Sequence, residues 1–345
     1  MSGTNHKGTV LVTGGSGYLA GWIVTGLLRE GYKVRATLRS LQRQADVRAA
    51  IATQVAPEDR LSFVVADLLS DDGWNSALSG CEYAIHVASP MGQGAPKGTD
   101  LVGPARDGTL RVLKAAAANG VQRVVCTSST IAAQAPTSPG EKQPLANEQT
   151  WTDPKEKGVG EYGRSKTLAE HAAWKFIEKD TSGMTLATVL PGMILGPVMT
   201  KSVSGSLDLV FRFLAGKVPA LPHVGFCITD TQELVELHLR AMTSPAAANE
   251  RFIGAGDFLW FSEMAELLRK HFPTYAAKIP KRRLPDLVIR LTALFQEEAR
   301  FIAPMLGKRK EFDSNKAGAL LQWHARPSSE AVIECARSLI DQGVV

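Results

Sequence analysis

Hydrophobic positions follow two alternating patterns along the first half of the chain. Short, nearly continuous apolar runs rich in Val, Leu and Ile are typical of strands buried on both faces. Stretches with helical periodicity lie between these runs, and those over 18–31 and 108–120 each end at a glycine. The alternation predicts an α/β fold with a doubly wound parallel sheet. The predicted strands cover 9–13, 33–39, 61–67, 83–89, 123–129 and 185–192.

The pattern changes after Gly196, where loop-forming and helical residues mix. A late strand is predicted over 251–257, and helices with proline-containing turns dominate from Phe261 onward. We therefore predict two domains. The first, the sheet domain, covers 1–195 and is rejoined by 228–255, and a smaller, mainly helical lobe consists of 196–227 and 256–345.

Composition and charge narrow the class of protein. Of 345 residues, 44% are hydrophobic and 21% are charged, which is ordinary for a globular chain. The formal net charge of +5 is spread along the chain apart from short basic clusters at 281–283 and 308–310, so we expect no nucleic-acid partner. There is no signal-peptide core and no apolar run of membrane-spanning length, so we expect no membrane partner and a cytoplasmic location. We expect the protein to be a monomer or a dimer.

A glycine cluster, TGGSGYLAGW at 13–22, joins the first predicted strand to the first predicted helix. Gly14 permits the tight turn, and Gly17 lets the backbone approach a pyrophosphate with no Cβ in the way. Ala20 is the third small residue, followed by Gly21. The start of the helix offers unpaired N–H groups and the positive end of its dipole. In this strand–turn–helix context the cluster predicts dinucleotide binding.

The spacing Thr13-Gly14-x-x-Gly17-x-x-Ala20 resembles the extended branch of the short-chain dehydrogenase/reductase superfamily. The resemblance covers about residues 8–255. Its further motifs are YGRSK at 162–166, TSS at 127–129, DL at 67–68, VAS at 87–89 and LPG at 190–192.

Within that branch, GYKVRATLRS at 31–40 and HVASP at 86–90 resemble the dihydroflavonol-reductase-like group, which includes NADPH-dependent aldehyde and ketone reductases. This implies a Rossmann-type fold, with NADP bound by the sheet domain and the substrate held by the lobe. It also implies a small-molecule carbonyl substrate that is reduced to an alcohol by hydride transfer.

The motif residues suit acid–base chemistry. Tyr162 and Lys166 are four apart on a predicted helix, so they share one face. We expect the lysine ammonium to lower the pKa of the tyrosine and make it a usable general acid. The resemblance implies that Ser129 hydrogen-bonds the substrate carbonyl oxygen, and Thr127 and Ser128 are the other candidates for this role. It also implies that Lys166 binds the nicotinamide ribose.

Arginines replace the acid that NAD-binding sheets carry at the end of the second strand. No Asp or Glu occurs between Gly31 and Ala45, whereas Arg35, Arg39 and Arg43 do. Arginine suits the 2′-phosphate of NADP(H), and Arg39 stands at the strand tip; whether Arg35 or Arg43 shares the phosphate stays open.

The resemblance implies a larger set of cofactor contacts. In it, Asp67 accepts from the adenine amino group and Leu68 lies beside it. The full set is Gly14, Ser16, Gly17, Tyr18, Leu19, Arg39, Asp67, Leu68, Val87, Ala88, Ser89, Thr127, Ser128, Tyr162, Lys166, Pro191 and Gly192.

Three stretches that the resemblance places over the nicotinamide contain no Lys or Arg, at 89–94, 192–199 and 219–226. We expect an apolar pocket for a small or medium aldehyde or ketone with an apolar substituent. The pocket candidates are Met91, Thr130, Met193, Met199 and Phe226. The four cysteines are far apart, with no CxxC and no adjacent His cluster, so no metal site is predicted.

Other functions stay open at this point. They are a hydroxysteroid-type dehydrogenase, a nucleotide-sugar epimerase or dehydratase, and a non-catalytic NADP sensor. The absence of an acid at the end of the second strand argues against an epimerase or dehydratase that keeps NAD. The presence of Tyr162 argues against a non-catalytic sensor, because such proteins typically lose this tyrosine. Ala133 stands where dihydroflavonol reductases carry an amide, which argues against a flavonoid-specific enzyme. Arg111 stands where many extended members have Asn, so no fourth catalytic residue is assigned.

Overall fold

The computed structural model describes residues 7–90, 100–135, 145–156 and 158–345. Its strands are β1 Lys7–Val12, β2 Tyr32–Leu38, β3 Leu61–Val65, β4 Tyr83–His86, β5 Arg123–Thr127, β6 Thr185–Pro191, β7 Met193–Leu195, β8 Gly225–Asp230, β9 Glu250–Gly254 and β10 Phe258–Trp260. Its helices are α1 Tyr18–Arg29, α2 Gln44–Ala52, α3 Trp74–Leu78, α4 Val102–Ala118, α5 Gly160–Ile177, α6 Leu207–Leu214, α7 Thr231–Thr243, α8 Phe261–His271, α9 Asp286–Thr292, α10 Glu297–Ile302, α11 Asn315–Leu321 and α12 Ser328–Asp341.

In the described part of the chain, seven strands form one sheet in the order β3-β2-β1-β4-β5-β6-β9. Every neighbouring pair is parallel. The strand order reverses between β1 and β4, and such a switch point opens a crevice at the carboxyl ends of the strands. The predicted doubly wound, Rossmann-type sheet is confirmed.

A second sheet of three strands, again within the described residues, has the order β10-β8-β7. It is joined to the main sheet at Gly192, the one residue between β6 and β7. A Cβ at Gly192 would lie 2.2 Å from the carbonyl oxygen of Cys227 on β8, so only glycine fits this close approach. The carboxyl end of β6 therefore leads directly into the small sheet.

The predicted strands of the first half correspond to β1–β6, and the predicted late strand corresponds to β9. Strand β4 stops at His86, short of the predicted end at 89. The reason is that the N–H groups of Val87 and Ala88 both donate to the hydroxyl of Thr13, each at 3.0 Å, instead of continuing the ladder. Strands β7, β8 and β10 were not predicted, and β7 and β10 have only three residues each.

The C-terminal part of the chain contributes to two apolar cores, one around helices α1 and α7 and a second one. Helices α6, α8 and α12 enclose a second apolar core that includes Phe213 and Met264. Trp323, between α11 and α12, instead packs into the core around α1 and α7, and its indole N–H donates to the Glu233 carbonyl at 2.8 Å. The division into domains at residue 195 stays a prediction from the sequence. Among the helices of the described residues, none combines the length and the apolar character needed to cross a membrane.

Candidate active site

The glycine loop lies on the carboxyl end of β2. Gly14 has φ +70°, its amide donates to the Thr37 hydroxyl at 3.0 Å, and the amide of Gly15 donates to the Thr37 carbonyl at 2.9 Å. A Cβ on Gly15 would lie 2.8 Å from the Cβ of Ala36, so this second glycine of the cluster is needed as well. These hydrogen bonds and this close packing hold the loop against β2.

Helix α1 begins directly after this loop. Gly17 is its N-cap, no side chain caps the helix, and its first turn holds no acid. The first N–H groups of α1 therefore remain open at the switch point, next to the exposed Ser16. This arrangement fits the diphosphate of a dinucleotide.

A buried hydroxyl joins the ends of β1 and β4. Thr13 accepts the amide protons of Val87 and Ala88, so its own proton goes to Nδ1 of His86 at 2.9 Å. Nε2 of His86 then carries the ring proton and lies 3.3 Å from the hydroxyl of Thr109. Burial and the nearby lysine on α5 lower the pKa of His86 to about 3, so the ring is neutral. The backbone donors after β4 are thus used within the protein.

Other residues assigned to the cofactor have structural partners. The Tyr18 hydroxyl bonds Thr231 at 2.8 Å and links α1 to α7, and burial raises the pKa of Tyr18 well above its usual value. Leu19 is buried in the core. Asp67 accepts the amide of Leu69 at 2.9 Å, which leaves its second carboxylate oxygen for a ligand.

Arg111, which the sequence left unassigned, is a structural residue. Its guanidinium donates to the carbonyl of Leu68 at 2.7 Å and pairs with Asp71. It therefore fixes the turn after β3, beside the Asp67 carboxylate.

The three arginines near β2 differ in their surroundings. Arg35 donates to the carbonyls of Ala77 and Ser79, both at 2.8 Å, and so caps the end of α3. Arg39 follows the last residue of β2 and is exposed, and Arg43 is exposed in the short 3₁₀ turn before α2. Because Arg35 is committed to α3, Arg39 and Arg43 are the arginines that could bind a 2′-phosphate.

Three consecutive residues with hydroxyls, Thr127 to Ser129, lie at the carboxyl end of β5, and two of these hydroxyls have buried partners. Nδ1 of His238 lies 2.7 Å from the Leu234 carbonyl and must donate to it, so Nε2 accepts from Thr127 at 2.8 Å. Ser128 donates to the carboxylate of Glu170 at 2.6 Å. Ser129 accepts the amide of Ile131 at 3.3 Å and keeps its own proton to donate. Of the three competitors, Ser129 is therefore the one whose proton is not given to a buried structural group, which leaves it as the candidate to bind a substrate oxygen.

Tyr162 and Lys166 lie on α5 facing this strand end. The side chain of Tyr162 hydrogen-bonds Ser129, which lowers the pKa of the phenol, but burial is the larger effect and raises it. Nζ of Lys166 donates to the Thr127 carbonyl at 3.2 Å. Burial lowers the pKa of Lys166 to about 8, opposed by Cys126 and Glu170.

The structure corrects one expectation about this pair. The sequence predicted that Lys166 lowers the pKa of Tyr162, whereas the pKa of Tyr162 is raised. The physical reason is the burial of the phenol, which raises its pKa more than the hydrogen bond with Ser129 lowers it, while the ammonium of Lys166 is bound to the β5 backbone. Tyr162 is therefore protonated at neutral pH, which is the form that a proton donor needs.

A small cavity of about 30 Å³ lies behind Lys166, between β4, β5, α4 and α5. Its lining contains several polar side chains besides Lys166. They are His86, Ser89, Thr109, Thr127, Ser128 and Glu170. A cavity of this size with polar side chains in its lining can hold a water molecule.

The pocket candidates are spread over several elements. Thr130 is buried directly after Ser129, while Met193 on β7 and Phe226 on β8 are half-buried against the core of the lobe. Met199 packs on α1, with its sulfur 3.6 Å from where a Cβ of Gly21 would stand. Pro191 and Gly192 form the junction of β6 and β7. Met91 lies outside the described residues, and its role stays a prediction.

Comparison with known proteins places this site in a family. The model of the NAD dependent epimerase/dehydratase family matches residues 10–252. The chain belongs to this family. The resemblance of the sequence to the extended short-chain dehydrogenases/reductases is thereby confirmed. The family match ends within β9, so the helices from α8 onward lie outside it.

Individual relatives within the family are reductases by name. Cinnamoyl-CoA reductase CAD2 from Medicago truncatula is 32% identical over 291 residues, which cover 83% of this chain and 87% of that protein. Dihydroflavonol 4-reductase from Zea mays is 32% identical over 291 residues, 81% of this chain and 78% of that protein. Yeast methylglyoxal/isovaleraldehyde reductase Gre2, solved in complex with NADPH, shares the fold with a TM-score of 0.79 at 24% identity, over 98% of this chain and 100% of that chain.

Two supporting residues were missed by the sequence reasoning. Glu170 follows Lys166 by four residues, so the helical periodicity that pairs Tyr162 with Lys166 would also have placed Glu170 on that face. Its partner Arg251 is on β9, far along the chain, and only the fold brings them together, at 2.8 Å. Among the described residues, no group of three or more His, Cys, Asp or Glu side chains is arranged to hold a metal ion.

The lowered pKa of Lys166 predicts a pH dependence. Lys166 is protonated below about pH 8 and neutral above it. Since kcat/KM reports the free enzyme, we expect kcat/KM for carbonyl reduction to fall as the pH rises through about 8. Circular dichroism at each pH is the control for unfolding. A profile that stays flat up to about pH 10, near the ordinary lysine pKa, would contradict this assignment.

Proposed function

We propose that this protein is an NADPH-dependent reductase that converts an aldehyde or ketone carbonyl to an alcohol. The observation that carries the proposal is the contact of Ser129 with Tyr162 at the carboxyl edge of the sheet, with Lys166 one turn further along α5. The names of the relatives, among them a cinnamoyl-CoA reductase and a dihydroflavonol 4-reductase, support a reductase.

The side chains divide the reaction between them. When bound, the reduced nicotinamide supplies the hydride that forms the new C–H bond. The hydroxyls of Ser129 and Tyr162 hold the carbonyl oxygen and stabilise the negative charge that develops there. Tyr162 transfers its proton to that oxygen, which completes the alcohol. Lys166, as an ammonium, holds the end of β5 through the carbonyl of Thr127 and would also hold the nicotinamide ribose, while solvent returns the proton to Tyr162.

The cofactor is NADP(H). The open start of α1 takes the diphosphate, and Arg39, exposed at the end of β2, takes the 2′-phosphate through its planar donors. Arg35 is excluded from this role because it caps α3. The NADPH present in the yeast reductase structure supports the same choice.

The substrate is a small or medium carbonyl compound with an apolar substituent. Thr130, Met193 and Phe226 are the described pocket candidates that lie on segments around the carboxyl edge of the sheet. An epimerase would require an acid after β2, and the nearest carboxylate along the chain is Asp46 in α2. Hydroxysteroids stay an alternative, since they share this chemistry. A cytoplasmic location and a monomeric or dimeric state remain predictions from the sequence.

Replacing Tyr162 by Phe removes the proton donor and one hydroxyl only. We expect kcat to fall by about 10²-fold or more, because that is the scale of general acid catalysis. NADPH affinity, measured by fluorescence titration, and the melting temperature should change little. A variant that keeps more than about a tenth of the wild-type rate would show that another group donates the proton.

Replacing Arg39 by Asp should shift the preference toward NADH. The change removes the phosphate partner and supplies an acceptor for the ribose hydroxyls. A charge-assisted contact is worth about 1.5–3 kcal/mol, so NADPH affinity should fall by about one to two decades. Arg43→Asp is the matched control, with the same change of charge one 3₁₀ turn away. A larger loss in the Arg43 variant would move the phosphate site there.

A further inference from the structure

A buried ion pair lies directly behind the catalytic residues. Nε of Arg251 on β9 is 2.8 Å from Oε1 of Glu170 on α5, and the side chains are only 8% and 1% exposed. Taking two charges out of water costs free energy that their attraction only repays when the geometry is good and further hydrogen bonds are made. The further hydrogen bonds that Glu170 and Arg251 make therefore indicate which parts of the structure the pair stabilises.

The carboxylate of Glu170 joins four elements. Oε2 accepts from the hydroxyl of Ser128, directly after β5, at 2.6 Å, and Oε1 accepts from the hydroxyl of Thr188 on β6 at 2.8 Å. The indole of Trp174, one turn further along α5, donates to Oε1 at 3.3 Å. The carboxylate therefore accepts from Ser128, Thr188 and Trp174 in addition to Arg251, and it holds the side chain of the residue before Ser129.

Arg251 extends this arrangement to the segment 148–152. Its guanidinium donates to the carbonyl of Thr150 at 3.0 Å and lies 3.6 Å from the ring centre of Trp151, a cation–π contact. The next residue, Thr152, donates to the Ile131 carbonyl at 2.6 Å. The segment 148–152 therefore links Arg251 to the 3₁₀ turn that follows Ser129.

We propose that Glu170 and Arg251 are positioning residues that align Ser129 with Tyr162. Glu170 acts from one side, through the hydroxyl of Ser128, and Arg251 acts from the other, through the segment 148–152. The proposal rests on the proposed reductase function. The hydroxyl of Ser128 is bound to Glu170, so the proposal gives it a positioning role in place of the predicted cofactor contact.

A matched pair of variants tests this. Ser128→Ala and Thr188→Val each remove one hydroxyl bond to the same carboxylate, but only Ser128 is next to Ser129. We expect kcat to fall about tenfold or more in Ser128→Ala, since a misplacement of about 1 Å can cost on the order of 10²-fold. KM for the carbonyl and Kd for NADPH should stay within about twofold. Thr188→Val should keep the wild-type kcat and lose only thermal stability.

The results separate three explanations. An equal effect of both variants on kcat, or none in either, would overturn positioning by Glu170. A rise in the NADPH Kd confined to Ser128→Ala would show instead that this hydroxyl binds the cofactor. Arg251→Lys keeps the charge but loses the planar fork. If this variant is folded and retains full kcat, the role of Arg251 is wrong.

Amide hydrogen exchange provides a readout that needs no turnover. In Ser128→Ala, exchange should increase over 129–133, whereas Thr188→Val should match the wild type there. Wild-type protein that oxidises no NADPH with any carbonyl would refute the proposed function, yet the exchange pattern would still decide the positioning. Unchanged exchange over 129–133 in Ser128→Ala would contradict the inference.

Discussion

The parallel register of the central strands is the constraint on which the site depends. Strands β1, β4, β5 and β6 run in one direction, so their carboxyl ends meet at one edge. The glycine loop, the turn after β4, the hydroxyls after β5 and the junction with β7 all lie at that edge. Residues far apart in sequence, such as Gly14, Ser129 and Gly192, are thereby gathered without any long-range motif.

Burial then determines which polar groups at this edge are available. A buried polar group needs a partner, and the interior supplies one for most of them. Thr13 is bound to the ends of β1 and β4, Thr127 to His238, and Ser128 to Glu170. The hydroxyl of Ser129 is the one in this series whose proton is free to face Tyr162. Thr13, Thr127 and Ser128 therefore stabilise the structure, while Ser129 is available for the reaction.

Much of this could be predicted from the sequence because the signals are local. Apolar runs and helical periods indicated β1–β6, and the four-residue spacing of Tyr162 and Lys166 placed them on one face. The pKa of Tyr162 could not be predicted, since it depends on burial and on where the ammonium of Lys166 points. Arg251 was missed for a similar reason: a lone arginine on a late strand carries no local signal. Glu170, by contrast, was accessible to the same helical argument.

The proposal that this site reduces carbonyl compounds with NADPH can be tested with a panel of substrates. Aryl and branched-alkyl ketones, α-keto esters and aldehydes would be incubated with NADPH and with NADH, and UDP-sugars would be run in parallel. We expect oxidation of NADPH with at least one apolar carbonyl compound, faster than oxidation of NADH, and no conversion of UDP-sugars. Conversion of a UDP-sugar without NADPH oxidation by any carbonyl compound would refute the reductase function and favour an epimerase.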